Sequence, residues 1–493
     1  MKKLSCIAVV LLFLGCKTEQ KETISPEVLQ IDKIVQKQKE LFEAPGLAVG
    51  VVKDGETLYA NTFGVKELGT DKKLSTKSLF HMASVSKPFV ATAVVQLVEK
   101  GKIDLDEKLT TYLPYFTMAD ERYKDITVRQ TLSHTSGIPN VKDYEWDKPE
   151  YDDGAAERYV KSHATLKLDF TPGERYRYSN AAFDILCDLI AKTSGMTFEA
   201  YMKKNIFEAV GMVNSTFFKP EVPKELATSP HIVGENLQKE VGKVYPYNRR
   251  HAGSSTLHSN VDDMLLWAKV NLNKGIINGN RIYSEKSYKM LTSLQTPEGQ
   301  KRVGLSWFFG DIEESPIFYH SGGDPGYRTF FAFMPEKKAA IVLMTNTDYF
   351  WTLESSAVIL KNIVFNDSLR PKAPIHYKLK NYILTEGIEK VKEVYFEEEK
   401  KSPQDYVFDN GGLDDLGYWL IEAKHLNAAL EIFKFNVELE PKHAGWHDSV
   451  GDAYRAMDSI DLAIEWYKKA LAIKPDQNFS IKKLNELLEN SSK

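Results

Sequence analysis

Cysteine is almost missing from this chain. Among 493 residues there are three, at positions 6, 16 and 187. Two fall in the first sixteen residues, so Cys187 stands alone in the rest of the chain and has no partner there for a disulfide. Cys187 lies on the apolar stripe of "AAFDILCDLIAKTSG" and reads as a packing residue rather than a nucleophile. Long basic runs are missing too. With 64 Lys and Arg against 68 Asp and Glu, the net charge is −4, which does not suggest nucleic-acid binding. No His–carboxylate cluster argues for zinc, so neither a metal nor a cofactor is expected. Long apolar runs are absent, apart from residues 7–14. That run is too short to span a bilayer.

What is present describes a secreted globular protein. Hydrophobic residues make up 43% and charged residues 27%, enough for a sizeable core. The length allows roughly three average domains. "MKKLSCIAVVLLFLGC" has a basic start and a short apolar stretch, the pattern of an export signal over 1–15. "FLGC" resembles a bacterial lipoprotein box ending in a lipid-modified Cys16. It implies an exported, lipid-anchored protein of the cell envelope. Residues 16–28 read as a polar tether and 29–43 as a helix. "GLAVGVVKDGETLYANTFG" gives two strands about Asp54-Gly55, a strong hairpin signal. The stretch 302–345 reads as four short strands joined by turns. "HSNVDDMLLWAKVNLNKG" reads as a helix with Ser259 as its N-cap. Strands at both ends with helices between predict an α+β domain over 29–366, its antiparallel sheet flanked by helices and closed by the N-terminal hairpin.

A linker is expected over 367–375, and helices alone over 376–493. There, Gly417, Ala429, Phe433 and Pro441 recur 34 residues later as Gly451, Ala463, Tyr467 and Pro475. The pattern resembles tetratricopeptide repeats with a capping helix at 477–490. It implies a concave groove for a peptide or protein partner. A solubilising or dimerising appendage is the competing reading.

The chemistry begins at "ASVSKP". Ser84 and Lys87 are three apart, so they share one face of a helix start. There the amide dipoles favour a developing alkoxide. By itself the pair is weak, because Ser480 and Lys483 match it in the last helix. Tyr59-Ala60-Asn61 likewise matches a Tyr-x-Asn pattern inside a strand. Two further motifs give the first pair its meaning. "YRYSNAAF" carries Tyr178, Ser179 and Asn180 before a helix, and "YHSGGDPGY" carries His320, Ser321, Gly322 and Gly323 at a strand end.

In that order the three motifs resemble the serine β-lactamase and penicillin-binding-protein superfamily. The closest branch is that of class C β-lactamases, DD-peptidases and related esterases, and "LSHTSGIP" with His134 fits it. The resemblance implies Ser84 as acylated nucleophile, and Tyr178 as general base and acid with Lys87 as the alternative taker of the proton. It implies Lys87 as the residue that holds Ser84 and Tyr178 in one hydrogen-bond network, and backbone amides of Ser84 and Gly323 as the oxyanion hole. It places Asn180, His320, Ser321 and Gly322 along the substrate. Positive charge from Lys87 and His320 is expected to favour a Tyr178 phenolate. Asn180 is expected to orient Lys87, and bare Gly322 to let substrate lie against its strand. His320 stands where β-lactamases carry lysine, so a small-molecule or peptide substrate of the D-amino-acid peptide, ester or amide type is expected ahead of a β-lactam. An idle penicillin-fold scaffold whose repeats do the work is the rival. Acidic, aromatic residues 140–153 read as a surface insertion or a substrate rim. His134 reads as a structural loop histidine, Arg328 as a surface residue or a carboxylate anchor, and His443 with His447 as solvent-facing.

Overall fold

The structure is a computed structural model that describes residues 25–491. The export signal and Cys16 lie outside the described residues. The first helix, α1 (Pro26–Leu41), starts earlier than expected because Ser25 caps it, its hydroxyl accepting from the Val28 amide. The polar tether therefore ends by residue 25 rather than 28.

A six-stranded antiparallel sheet organises the molecule. It comprises β1 (Gly46–Lys53), β2 (Glu56–Gly64), β3 (Phe308–Ile312), β4 (Ser315–Asp324), β5 (Tyr327–Met334) and β6 (Ala339–Thr345). Their spatial order is β2-β1-β6-β5-β4-β3, so the N-terminal hairpin closes a sheet built from the C-terminal end of the domain. The hairpin turns on Asp54 and Gly55, with φ of 54° and 84°, the left-handed pair such a two-residue turn requires.

Side chains alternate across the central strands, and both faces are buried. Phe331, Phe333, Val342 and Met344 join the core under the helical layer. Phe330, Ala332, Ile341 and Leu343 join a second core on the opposite face. The helical layer includes α2 (Lys87–Glu99), α3 (Asn180–Ser194) and α4 (Val261–Leu272). The N-cap of α4 is Asn260, whose side chain accepts from the Asp263 amide. Ser259, the expected cap, lies in a short strand paired with Phe80. Extended pairing claims Ser259 before the helix can begin.

The second core is shared. Helices α1 and α5 (Thr352–Val364) cover the sheet's outer face, and the C-terminal helices continue the same apolar cluster. Phe42 meets Phe350 at 4.4 Å and Tyr377 at 5.1 Å, and Tyr349 meets Trp419 at 4.7 Å. The expected linker 367–375 is therefore no free spacer. Ala373 and Ile375 are buried, and Ala373–Pro374 pair in parallel with Tyr406–Val407.

The C-terminal region is wholly helical apart from that pairing: α6 (His376–Ile383), α7 (Gly387–Glu399), α8 (Asn410–Glu422), α9 (Leu426–Leu439), α10 (Ala444–Ala456), α11 (Ile460–Ile473) and α12 (Asn478–Ser491). The recurring residues sit at helix contacts. A Cβ on Gly417 would lie 2.2 Å from the Phe433 ring, and one on Gly451 2.5 Å from the Tyr467 ring. Glycine lets each helix close onto the next one's aromatic residue.

Candidate active site

Three elements converge on Ser84. The chain enters through Ala83, held in the left-handed region at φ 48°, a conformation that costs a non-glycine residue about 1–3 kcal/mol. Ser84 then sits in a 3₁₀ turn, Ala83–Ser86, that runs straight into α2. Its neighbours fix that turn. The Ser86 hydroxyl donates to the Ala83 carbonyl at 2.7 Å and accepts from the Leu257 amide at 3.0 Å. The Thr329 hydroxyl on β5 donates to the Met82 carbonyl at 2.7 Å. Ser84 itself remains partly exposed.

Lys87, the first residue of α2, is fully buried. Its Nζ lies 2.9 Å from Ser84 Oγ and 2.7 Å from the Ser254 carbonyl. Burial pulls its ammonium down to about 7, with Asp184 and Asp324 opposing that fall. Tyr178 precedes α3. Its side chain hydrogen-bonds Ser84, and its ring centroid is 5.0 Å from Lys87 Nζ. Desolvation pushes the phenol well above its usual value, beyond what the Ser84 hydrogen bond recovers, and both carboxylates add to the rise. The full positive charge expected to favour a phenolate is not there, since Lys87 is only partly protonated near pH 7.

His320 supplies none of it either. Burial and the Lys87 charge hold the imidazole at about 3. Its Nδ1 lies 2.7 Å from the Ser321 carbonyl, so that nitrogen carries the proton. Nε2 is left as a buried acceptor with no partner among the described residues. His134 is also buried and neutral. Its Nδ1 accepts from the Ser179 amide at 3.2 Å, and its ring lies 4.2 Å from that of Tyr178. It ties the loop to the site.

Strand β4 brings the third motif beside Ser84. Strand β3 pairs with β4 only through Tyr319, so residues 320–324 carry no β3 partner. A Cβ on Gly322 would lie 2.4 Å from the Met82 carbonyl and 3.1 Å from the Ser84 amide nitrogen. Gly322 thus lets β4 pack against the turn that carries Ser84. That corrects the expectation that its bareness makes room for substrate. Gly323 and Ser321 are exposed.

Asn180 is not on Lys87. Its amide nitrogen donates to the Tyr144 hydroxyl at 2.6 Å, and its backbone amide donates to Asn140 at 2.7 Å. The position beside Lys87 belongs instead to the Ser254 carbonyl. Residues 140–153 accordingly form a wall of the site. Tyr144 stacks on Trp146 at 4.5 Å, and both rings lie against His251. Arg328 is engaged elsewhere, donating to the Asp324 and Tyr327 carbonyls and to Asp348 at 3.3 Å. Ser480 and Lys483 are tied to Asp448, far from any of this, and Tyr59 and Asn61 both bond Asp32. His443 stacks on Trp446, and His447 bonds the Pro441 carbonyl.

Sequence reasoning missed Ser254, Asp184, His251 and Asp324. Asp324 carries His81 at 2.8 Å and the Ser255 hydroxyl. The available signal was Asp184, a charged residue that shares a mostly apolar helical run with Asp188.

The architecture is that of the penicillin-binding-protein-like fold, an antiparallel sheet with flanking helices, here followed by a helical region. A family model described as Beta-lactamase matches residues 31–358, and the chain belongs to that family. It is 26% identical to penicillin-binding protein 4* of Bacillus subtilis over 310 residues, 60% of this chain and 66% of that protein. It is 27% identical to penicillin-binding protein 4 of Amycolatopsis lactamdurans over 311 residues, 61% of this chain and 81% of that one. Protein flp of Staphylococcus aureus is 24% identical over 321 residues, 64% of this chain and 62% of that one. The match thus spans less than two thirds of the Bacillus and Staphylococcus proteins. The solved octameric penicillin-binding protein homologue from Pyrococcus abyssi shares the fold. Its TM-score is 0.60 at 23% identity, over 69% of this chain and 77% of that one. Family and relatives support a serine hydrolase in general. Among the described residues, no helix is long and apolar enough to cross a membrane.

Proposed function

We propose that the protein is a serine hydrolase that forms an acyl-enzyme on Ser84. The observation that carries this reading is the buried amine of Lys87, 2.9 Å from the Ser84 hydroxyl and near neutrality at pH 7. In the proposed step, Ser84 Oγ gives its proton to the free amine and bonds to the substrate's carbonyl carbon. The new oxyanion accepts from the Ser84 and Gly323 amides, each such donor lowering the barrier by about 3 kcal/mol. Collapse breaks the bond to the leaving group, which takes the proton back from Lys87 through the Tyr178 hydroxyl. Water then hydrolyses the ester. Lys87 is the base in this scheme, and Tyr178 works as a phenol.

The substrate class follows from charge. His320 presents an acceptor, not a cation, and the carboxylates of Asp184 and Asp324 lie close enough to act on Lys87. A substrate carboxylate beside the scissile bond finds no partner there. Esters and amides without one rank first, D-amino-acid peptides next, and β-lactams last. Asn180 and the Tyr144 wall would take the acyl side. A hydrolysis panel of short p-nitrophenyl esters, a D-Ala-D-Ala peptide and nitrocefin tests this. Ester turnover well above the other two supports the ranking, and nitrocefin as the best substrate overturns it. The rest of the reading places the enzyme outside the cytoplasm, anchored through a lipid on Cys16. Its helical region serves as a tetratricopeptide-type surface for a peptide or protein partner.

A further inference from the structure

We propose that the buried Asp184–His251 pair is a positioning device for Lys87: it fixes the carbonyl that holds the amine and sets a carboxylate beside it. The inference rests on the acyl-transfer reading above. Asp184 is fully buried on α3. One carboxylate oxygen accepts from the Ser254 amide at 2.9 Å, and the other lies 2.8 Å from His251 Nδ1. Ser254 then offers its carbonyl to Lys87 Nζ at 2.7 Å. One residue therefore connects the carboxylate to the amine, its N–H held from below and its C=O holding Lys87.

The contact surface is built for this. Ser254 lies in a short helix, Ala252–Ser255, packed flush on α3. A Cβ on Gly253 would lie 2.2 Å from the Phe183 carbonyl, so only glycine permits the approach. His251 is buried as well, beneath the rings of Tyr144 and Tyr159. Burying a carboxylate costs several kcal/mol, and an apolar residue would fill the same stripe at lower cost. The carboxylate earns its place through Lys87.

Other groups face that amine and bound the idea. Ser84 and Tyr178 hydrogen-bond around it, and the Phe183 ring centroid lies 5.7 Å away. His134 and His320 are neutral. Asp324 acts from β4 but is already held by His81 and Ser255. Asp184 alone of the two carboxylates also bonds the residue that carries Lys87's carbonyl partner.

The experiment measures the rate of Ser84 labelling by a fluorophosphonate from pH 5 to pH 9. It uses the full-length protein as wild type, Asp184→Asn and Asp184→Glu. A nearby carboxylate holds the proton on the amine, so removing the charge frees the amine at lower pH. Asp184→Asn should move the midpoint down by about half a unit or more and keep the plateau rate within about fivefold. Asp184→Glu keeps the charge but displaces Ser254. Its midpoint should stay near wild type while the plateau drops about tenfold or more. A wild-type midpoint in Asp184→Asn overturns the proposal, as does a wild-type plateau in Asp184→Glu. Should Asp184→Asn fail to give a cooperative melt, the Asp184→Glu plateau decides alone. A wild-type protein unlabelled at every pH would instead bring down the acyl-transfer reading itself.

Discussion

Replacing Gly322 with alanine should disable the site through its backbone. The new Cβ would lie 2.4 Å from the Met82 carbonyl and 2.3 Å from the Thr329 hydroxyl, where real Cβ contacts below 3.0 Å essentially never occur. Strand β4 and the Ser84 turn must therefore separate by about 0.6 Å at least. Rotating Thr329 away gives no relief, because its hydroxyl holds the Met82 carbonyl at 2.7 Å. Every escape moves the residues flanking Ser84. An oxyanion donor works at about 2.7–3.1 Å, so a shift of this size takes one donor out of range and costs about 10²–10³ in rate. Overpacking should cost about 1–3 kcal/mol of stability as well. The assay is the rate of Ser84 labelling and ester turnover beside a thermal melt. Gly310→Ala serves as control, because its Cβ meets only side-chain atoms, at 3.3 Å and beyond. Activity of Gly322→Ala within threefold of wild type would refute the reasoning.

Three further outcomes follow from named contacts. Lys87 loses its proton at about 7 instead of 10.5, so its base form is present above pH 7. The acylation rate should fall about tenfold per pH unit below that midpoint, which a pH–rate profile checks, and Lys87→Ala should lose about 10²–10⁴ above pH 7, with the gap to wild type closing as the pH falls. Tyr144→Phe removes the acceptor of Asn180's amide. It should lower kcat/KM about fivefold, mainly through KM, as expected for one hydrogen bond of about 1 kcal/mol. Gly417→Ala would drive a methyl to 2.2 Å from the buried Phe433 ring and should lower stability by about 1–3 kcal/mol in denaturant melts.

The contrast between what the sequence disclosed and what it hid has a physical pattern. Local signals read well: Asp54-Gly55 demands a left-handed turn, and the short apolar runs separated by turns through 302–345 read as strands. Ser84, Lys87, Tyr178 and the 320–323 strand were each legible from nearby residues, and the fold brings them together. Quantities set by three-dimensional burial were not legible. Charge counting made Lys87 and His320 cations beside Tyr178, but enclosure drains charge from both and raises the phenol. Gly322 looked like space for substrate because a sequence does not show that the Met82 carbonyl packs against it. Asn180 looked like a partner for Lys87, whereas Ser254 arrives from 167 residues away to take that role. The 140–153 segment, polar enough to pass for a loop in solvent, is pinned over the site through Tyr144. The 367–375 stretch looked like a spacer and is instead part of a core shared with the C-terminal helices, so truncation at residue 370 would tear that core open.

The most direct measurement is peptide mapping by mass spectrometry after the purified protein is incubated with a p-nitrophenyl ester and quenched in acid. An acyl adduct on the peptide containing Ser84 is expected in wild type, at a stoichiometry that rises from pH 6 to pH 8, and none in Ser84→Ala. Ester hydrolysis at equal rates in both proteins, or an adduct on any other residue, would contradict a nucleophilic Ser84.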